Sequence, residues 1–291
     1  MKKNSNYSRI IAGTMTWGSW GKNLQKKEAI ALMHHCLELG ITTFDHADIY
    51  GGYTNESLFG NAFADSGIQR ENMQLITKCG IQFVCEARNN KIGYYQYDKN
   101  YIIASVNQSL LNLKTDYINF LLLHRPSPLM HPTEISEAIY QLQKEGKIKD
   151  FGVSNFTPSQ IKMLETQIPV TGNQIEFSLT EHSVMYDGTL DDCITKNRLA
   201  MSWSPLGTYF KENNEQIQRI RLVVKELTNK YNASEDQLLL AWILRHPSKV
   251  LPVVGTTTKE RLTASAEAQN IAMELEDWFL LLKASQGHPV P

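Results

Sequence analysis

Charge of one sign is what this chain most lacks: 29 Lys and Arg stand against 30 Asp and Glu, a net charge of −1 over 291 residues. With no basic run, it has no electrostatic footprint for nucleic acid or for an acidic membrane surface. Cysteine is sparse too. Cys36, Cys79, Cys85 and Cys193 show no C-x-x-C spacing, which argues against a disulfide framework and points to reduced thiols in a cytoplasmic protein. No window holds about 18 successive apolar residues, so no membrane-spanning helix is expected. After the basic start Met1-Lys2-Lys3 the early apolar stretch is only Ile10-Ile11-Ala12, too short for a secretory h-region. No G-x-G-x-x-G follows a strand pattern, which counts against a Rossmann module. No linker rich in Pro, Gly or Ser interrupts residues 1–291, so one domain is expected.

What is present is a repeat of short β-branched or aliphatic runs, each followed by a longer segment with apolar residues at helical spacing. The runs are Arg9–Gly13, Ile41–Phe44, Met73–Thr77, Tyr117–Leu123, Ile148–Val153, Val170–Ile175, Leu199–Trp203 and Val250–Val254. Strands apolar on both faces and alternating with helices predict a parallel sheet covered by helices; this many repeats favour closure into a single (β/α)8 TIM barrel. Leu275–Leu282 predicts a C-terminal helix packed on the barrel, and Thr157-Pro158 and Ser234-Glu235-Asp236-Gln237 read as helix starts. One connection is long, Cys79 to Asp98 after the third strand, with Tyr94, Tyr95 and Tyr97 in it. Loops of that length are usually functional or disordered, and this one is placed to overhang the barrel mouth. No long apolar seam demands a partner, so a monomer or weak oligomer is expected.

A barrel presents its chemistry at the C-terminal ends of its strands. Here the second strand runs into Asp45, the third into Lys78 and the fourth into His124, with Tyr50 five residues after Asp45. Singly, each has an ordinary reading as a solvated or structural residue. Pointed at one mouth, they suit acid–base work on a carbonyl. Tyr50 is the candidate proton donor, and the Lys78 ammonium is expected to bring its pKa down. Asp45 would orient Lys78 and keep it charged, and His124 would donate a hydrogen bond to the substrate oxygen.

The ordered set Phe44-Asp45-His46-Ala47-Asp48-Ile49-Tyr50-Gly51, Ile76-Thr77-Lys78, Leu122-Leu123-His124-Arg125, Gly152-Val153-Ser154-Asn155-Phe156 and Asn173-Gln174-Ile175-Glu176-Phe177 resembles the signatures of the aldo-keto reductase family, from about Gly13 to Arg261. A bacterial oxidoreductase branch with a long loop after the third strand is the nearest likeness. The resemblance implies a barrel that binds NADPH, with NADH as the alternative, and reduces a small aldehyde or ketone. It implies the catalytic tetrad Asp45, Tyr50, Lys78 and His124; nicotinamide contacts from Ser154, Asn155, Gln174 and Trp203; a pyrophosphate loop at Ser204, Leu206 and Gly207; and an adenosine phosphate site at Gly255, Thr256, Thr257, Lys259 and Arg261. Gly255 stands where many members carry a lysine. Trp17, on the loop after the first strand, is the implied aromatic wall for substrate, beside Tyr50 and His124; Tyr53, Phe83 and Tyr94–Tyr97 are further candidates.

Two other functions fit parts of the pattern. A nicotinamide-binding sensor with little turnover shares the cofactor residues, and a Schiff-base aldolase would use Lys78 as its nucleophile. His46, Asp48 and His124 lack the spacing of a catalytic zinc set, and His34-His35 are adjacent on a helix and face different ways, so no metal is expected.

Overall fold

The computed structural model describes residues 7–289; the basic start at Met1-Lys2-Lys3 and the tail residues Val290 and Pro291 lie outside them. Strands β1 (Ile11–Gly13), β2 (Thr43–Asp45), β3 (Gln74–Cys79), β4 (Ile81–Gln82), β5 (Tyr94–Tyr95), β6 (Ile118–Leu123), β7 (Ile148–Ser154), β8 (Gly172–Glu176), β9 (Leu199–Trp203) and β10 (Leu251–Val254) alternate with helices. All but β4 and β5 form a closed parallel ring in the order β1, β2, β3, β6, β7, β8, β9, β10. The ring closes where Ile11 pairs with Val253 on one side and with Thr43 on the other. This is the (β/α)8 barrel that the alternating pattern predicts.

Strands apolar on both faces need cover inside and out. Ile11, Ile76, Phe120, Leu122, Met201 and Val253 fill the interior as a packed plug. Outside, the helices lay apolar stripes against the sheet: Pro132–Lys144 buries Ile135, Ala138, Ile139 and Leu142, the i, i+3, i+4, i+7 rhythm of one face. Helix Pro158–Leu164 starts with a reciprocal cap, Gln160 N–H donating to Thr157 Oγ1 at 3.3 Å and Thr157 N–H to Gln160 Oε1 at 2.9 Å. Among the described residues no helix is long and apolar enough to cross a membrane.

Two contacts brace the shell. At the N-terminal end of β9, the buried Arg198 guanidinium donates to both Glu165 oxygens at 2.7 and 2.8 Å, to Asp192 at 2.7 Å and to the Val170 carbonyl. It thereby ties two helices to the start of a strand. The expected C-terminal helix spans Leu275–Gln286. Its Trp278 stacks on Trp242 with ring centroids 4.9 Å apart and planes 5° from parallel. Each indole N–H donates to the other residue's carbonyl, at 3.1 and 2.9 Å.

The long connection after β3 departs from the irregular loop its length suggests. β4 and β5 pair antiparallel, Ile81 opposite Tyr95 and Gln82 opposite Tyr94, and Gln96 N–H donates to Gly80 O at 2.9 Å at the base of the hairpin. Gly80 turns the chain out of β3 at φ +114°, and a Cβ there would sit 2.0 Å from the Tyr97 ring. Only glycine meets both conditions.

Candidate active site

Asp45 ends β2, Lys78 is the penultimate residue of β3, His124 follows β6, and Tyr50 opens the tight turn Tyr50–Tyr53, in which Gly51 and Gly52 take positive φ. The four side chains meet. Lys78 Nζ lies 2.8 and 2.7 Å from the two Asp45 oxygens, 2.9 Å from the His46 carbonyl and 3.1 Å from Tyr50 Oη. The Tyr50 ring meets the His124 ring edge-on, centroids 6.1 Å apart. Asp45, Lys78 and His124 are buried and Tyr50 is half-buried. A buried ion pair is tolerable only with its remaining valences filled, and here Asp45 accepts a further bond from Gln174 Nε2 at 2.9 Å.

The cluster's electrostatics follow from that packing. Burial pulls the Lys78 amine toward neutrality, but Asp45 and the Tyr50 oxygen outweigh it and hold the ammonium above its ordinary range. For Tyr50 burial is the larger influence and raises the phenol, with Lys78 pulling the other way. The expectation that Lys78 would bring Tyr50 below its ordinary pKa is therefore corrected: the phenol stays protonated at neutral pH. Burial, then Lys78 and Arg125, push His124 well below its ordinary value, so its imidazole is neutral and keeps one N–H to donate. Because Lys78 donates into Tyr50 Oη, the phenol's own proton is left to point elsewhere.

Beside the tetrad, β7, β8 and β9 end in a second polar set. Trp203 Nε1 donates to Asn155 Oδ1 at 3.0 Å, leaving Asn155 Nδ2 as a donor. The Gln174 amide group donates to Asp45, leaving Oε1 as an acceptor. Ser154 Oγ accepts from Arg125 Nη1 at 3.2 Å and keeps its own proton. One free amide donor, one free amide acceptor and an oriented hydroxyl complement a primary carboxamide, and the Trp203 ring offers a π-face beside them. The donor set thus fits a nicotinamide.

Further along, Ser204, Leu206 and Gly207 form a tight turn in which Gly207 N–H donates to Ser204 O at 2.8 Å. Gly207 also meets a steric demand of the turn: at φ +54° an added Cβ would lie 1.9 Å from Thr180 Oγ1. Gly255, Thr256 and Thr257 follow β10. Lys259 and Arg261, both exposed, lie in the first turn of helix Lys259–Glu267, and a side chain at Gly255 would meet open space.

Trp17 is not a substrate wall. It is 1 % exposed, packed against Phe44 and Phe59 with centroids 6.2 and 5.8 Å away. Trp20 is the tryptophan of this loop that stands beside Tyr50, 39 % exposed, 6.3 Å from the Tyr50 ring and 5.5 Å from Phe83. The sequence holds two tryptophans three residues apart on one loop, and nothing local says which of them the core claims. Tyr97 is likewise buried: its hydroxyl donates to Arg125 O at 2.6 Å and accepts from Arg125 N–H at 3.1 Å. His46 turns inward onto Phe59 and Thr14. Asp48 points away from the mouth toward Ser105 and Tyr101, 3.2 and 3.4 Å away on helix Lys99–Leu113. Among the described residues no three His, Cys, Asp or Glu side chains converge as a metal centre requires.

A parallel barrel with a buried Asp–Lys–Tyr set, a neutral histidine and a carboxamide-shaped polar corner is an arrangement suited to hydride chemistry on a carbonyl. Residues 9–283 match the Aldo/keto reductase family. The chain is 43% identical to the uncharacterised oxidoreductase YcsN of Bacillus subtilis (strain 168), over 98% of this chain and 96% of that one. It is 33% identical to the 6-dehydroglucose reductase of Agrobacterium fabrum (strain C58 / ATCC 33970), over 97% and 96%. It superposes on an aldo/keto reductase from Klebsiella pneumoniae, solved in complex with NADP and acetate, with a TM-score of 0.79 and 25% identity over 98% of this chain and 93% of that one. The chain therefore belongs to the aldo/keto reductase family and is an NAD(P)H-dependent oxidoreductase.

Proposed function

We propose that the protein reduces an aldehyde or ketone to the alcohol with NADPH, and that Tyr50 gives the proton. The observation that carries this is the bond from Lys78 Nζ to Tyr50 Oη, 3.1 Å long, made by an ammonium that Asp45 holds charged. Lys78 stabilises the phenolate left after transfer. A phenol raised by burial keeps its proton until a developing alkoxide takes it. His124, neutral, donates to the same substrate oxygen and fixes its approach. NADPH, when bound, supplies the hydride to the carbonyl carbon.

Ser154, Asn155 and Gln174 would hold the carboxamide and Trp203 the ring face, as the fit of donors and acceptors supports. Thr256, Thr257, Lys259 and Arg261 gather hydroxyl and cationic groups near the end of β10, the chemistry an adenosine 2′-phosphate calls for, and this favours NADPH over NADH. Lys78 as a Schiff-base nucleophile is disfavoured, because an amine held charged by a carboxylate is not nucleophilic.

Replacing Tyr50 by Phe tests the reading. NADPH titration, followed by tryptophan emission, is expected to show unchanged affinity, while turnover on a reducible aldehyde falls about 10²–10⁴-fold, the scale of one general acid. Full activity in the variant would remove Tyr50 from the mechanism.

A further inference from the structure

Arg125 stands at the mouth beside His124 and is anchored unusually well for a residue just past a strand. The Tyr97 hydroxyl bonds both its carbonyl and its amide. Its Nη1 donates to His124 O at 2.8 Å and to Ser154 Oγ at 3.2 Å, and its guanidinium carbon lies 5.4 Å from the Trp203 ring centroid. Among the described residues Nε and Nη2 have no such partners and Arg125 forms no ion pair. Glu176 feels its charge, but across a gap wider than a contact.

Other half-buried or buried arginines of this fold are used differently. Arg198 grips two carboxylates, and Arg70 spreads Nε, Nη1 and Nη2 over four acceptors. The Nε/Nη2 edge left open on Arg125 is the one a guanidinium uses to take two oxygens side-on. Beside Tyr50 stands Trp20, with Phe83 against it, both partly exposed. A substrate bound at Tyr50 and His124 thus has both an apolar surface and an unpaired cation close by.

We propose that Arg125 is a specificity-determining residue that selects carbonyl compounds whose neighbouring carbon bears an acceptor oxygen, either the hydroxyl of a 2-hydroxy aldehyde or the carboxylate oxygens of a 2-oxo acid. The inference rests on the reductase reading above. Its free edge grips that oxygen while Tyr50 and His124 hold the carbonyl. Adjacency in the chain sets the spacing: the residue that contacts the carbonyl oxygen is followed at once by the one that reaches the neighbouring carbon's substituent.

Matched pairs test it with NADPH and the intact protein: propanal against 2-hydroxypropanal, and butanone against 2-oxobutanoate. The wild type is expected to favour the oxygenated member of at least one pair in kcat/KM. In Arg125→Met that preference ratio falls about tenfold or more, mainly through KM, the scale of a lost charge-assisted hydrogen bond. Which pair collapses tells hydroxyl from carboxylate. Arg125→Lys, which keeps a cation but has no two-donor edge, lowers the same ratio and stands in if the Met variant does not fold. An unchanged ratio overturns the proposal. So does an equal fall on both members of each pair with weaker NADPH binding, which would make Arg125 a brace for Ser154 and Trp203. A wild type that binds NADPH yet reduces none of the four removes the reductase reading, and this inference with it.

Discussion

Asp48 shows how one side chain loads the fold. Burial and the nearby Glu56 carboxylate push it up to about 8, so at neutral pH the native state holds a proton that the unfolded chain has released. Between about pH 4 and 8 the folded form binds more protons, and stability from this group declines as pH rises through that window. Asp48→Asn mimics the protonated form and keeps a carbonyl toward Ser105. It is expected to be more stable than the parent by on the order of 2 kcal/mol at pH 8, with the gain shrinking toward pH 4. Urea unfolding of both proteins at several pH values reads the difference directly, which cancels the opposite trend from His46, held at about 3 by burial; a flat difference would show that Asp48 is ionised in the native state. At this scale the sequence spoke clearly where spacing and chemistry coincide. Asp45, Tyr50, Lys78 and His124 announce themselves because strand ends of a barrel converge. Trp17 and Trp20 do not, because the choice between them is made by Phe44 and Phe59, which no local pattern connects to that loop.

The hairpin of β4 and β5 links the scale of elements to the site. It springs from Gly80, and its return leg delivers Tyr97 to the Arg125 backbone. Gly80→Ala would force a side chain into the Tyr97 ring at a φ that alanine resists. The expected outcome is a loss of about 2 kcal/mol or more in stability, with faster proteolytic cleavage within residues 83–93 than in the parent. Equal cleavage rates would show that the hairpin stands without the Gly80–Tyr97 contact. The eight barrel strands were legible because each has a short aliphatic or aromatic run at or beside it, even where, as in β8 with Asn173 and Gln174, polar residues stand in the strand. The hairpin was not, because its strands are two residues long and Tyr94 and Tyr95 are exposed, so neither periodicity nor burial marks them.

Over the whole molecule, the barrel is braced away from its chemistry. The Trp242–Trp278 stack and its two reciprocal hydrogen bonds join helix Glu235–Leu244 to the C-terminal helix, and Asp277 of the same helix accepts from Lys230 at 2.7 Å. Trp278→Ala removes the stack and leaves the Trp242 indole poorly covered. The cost is expected at about 3 kcal/mol, seen as a lower denaturant midpoint; a midpoint within error of the parent would show that the C-terminal helix contributes little to the cooperative unit. Pattern reading found that helix but not its fastening, since stacking partners 36 residues apart carry no signal in either segment.

The ring of strands also sets an order in time. Asp45, Tyr50, Lys78 and His124 all lie in the first half of the chain, yet β1 has no second neighbour until β10 exists, and the bond from Thr16 Oγ1 to Gly255 O joins residues 239 positions apart. Contacts so distant form late, after the loop-closure cost of everything between them has been met. On a translating ribosome Asp45, Tyr50, Lys78 and His124 emerge long before the strand that closes the ring. A chain that stops short of β10 leaves β1 with one neighbour and the ring open. The ring is complete only when the last strand, β10, pairs with β1 and β9, although the hydrogen bonds that join Asp45, Tyr50, Lys78 and Gln174 come from β2, β3, β8 and the turn after β2.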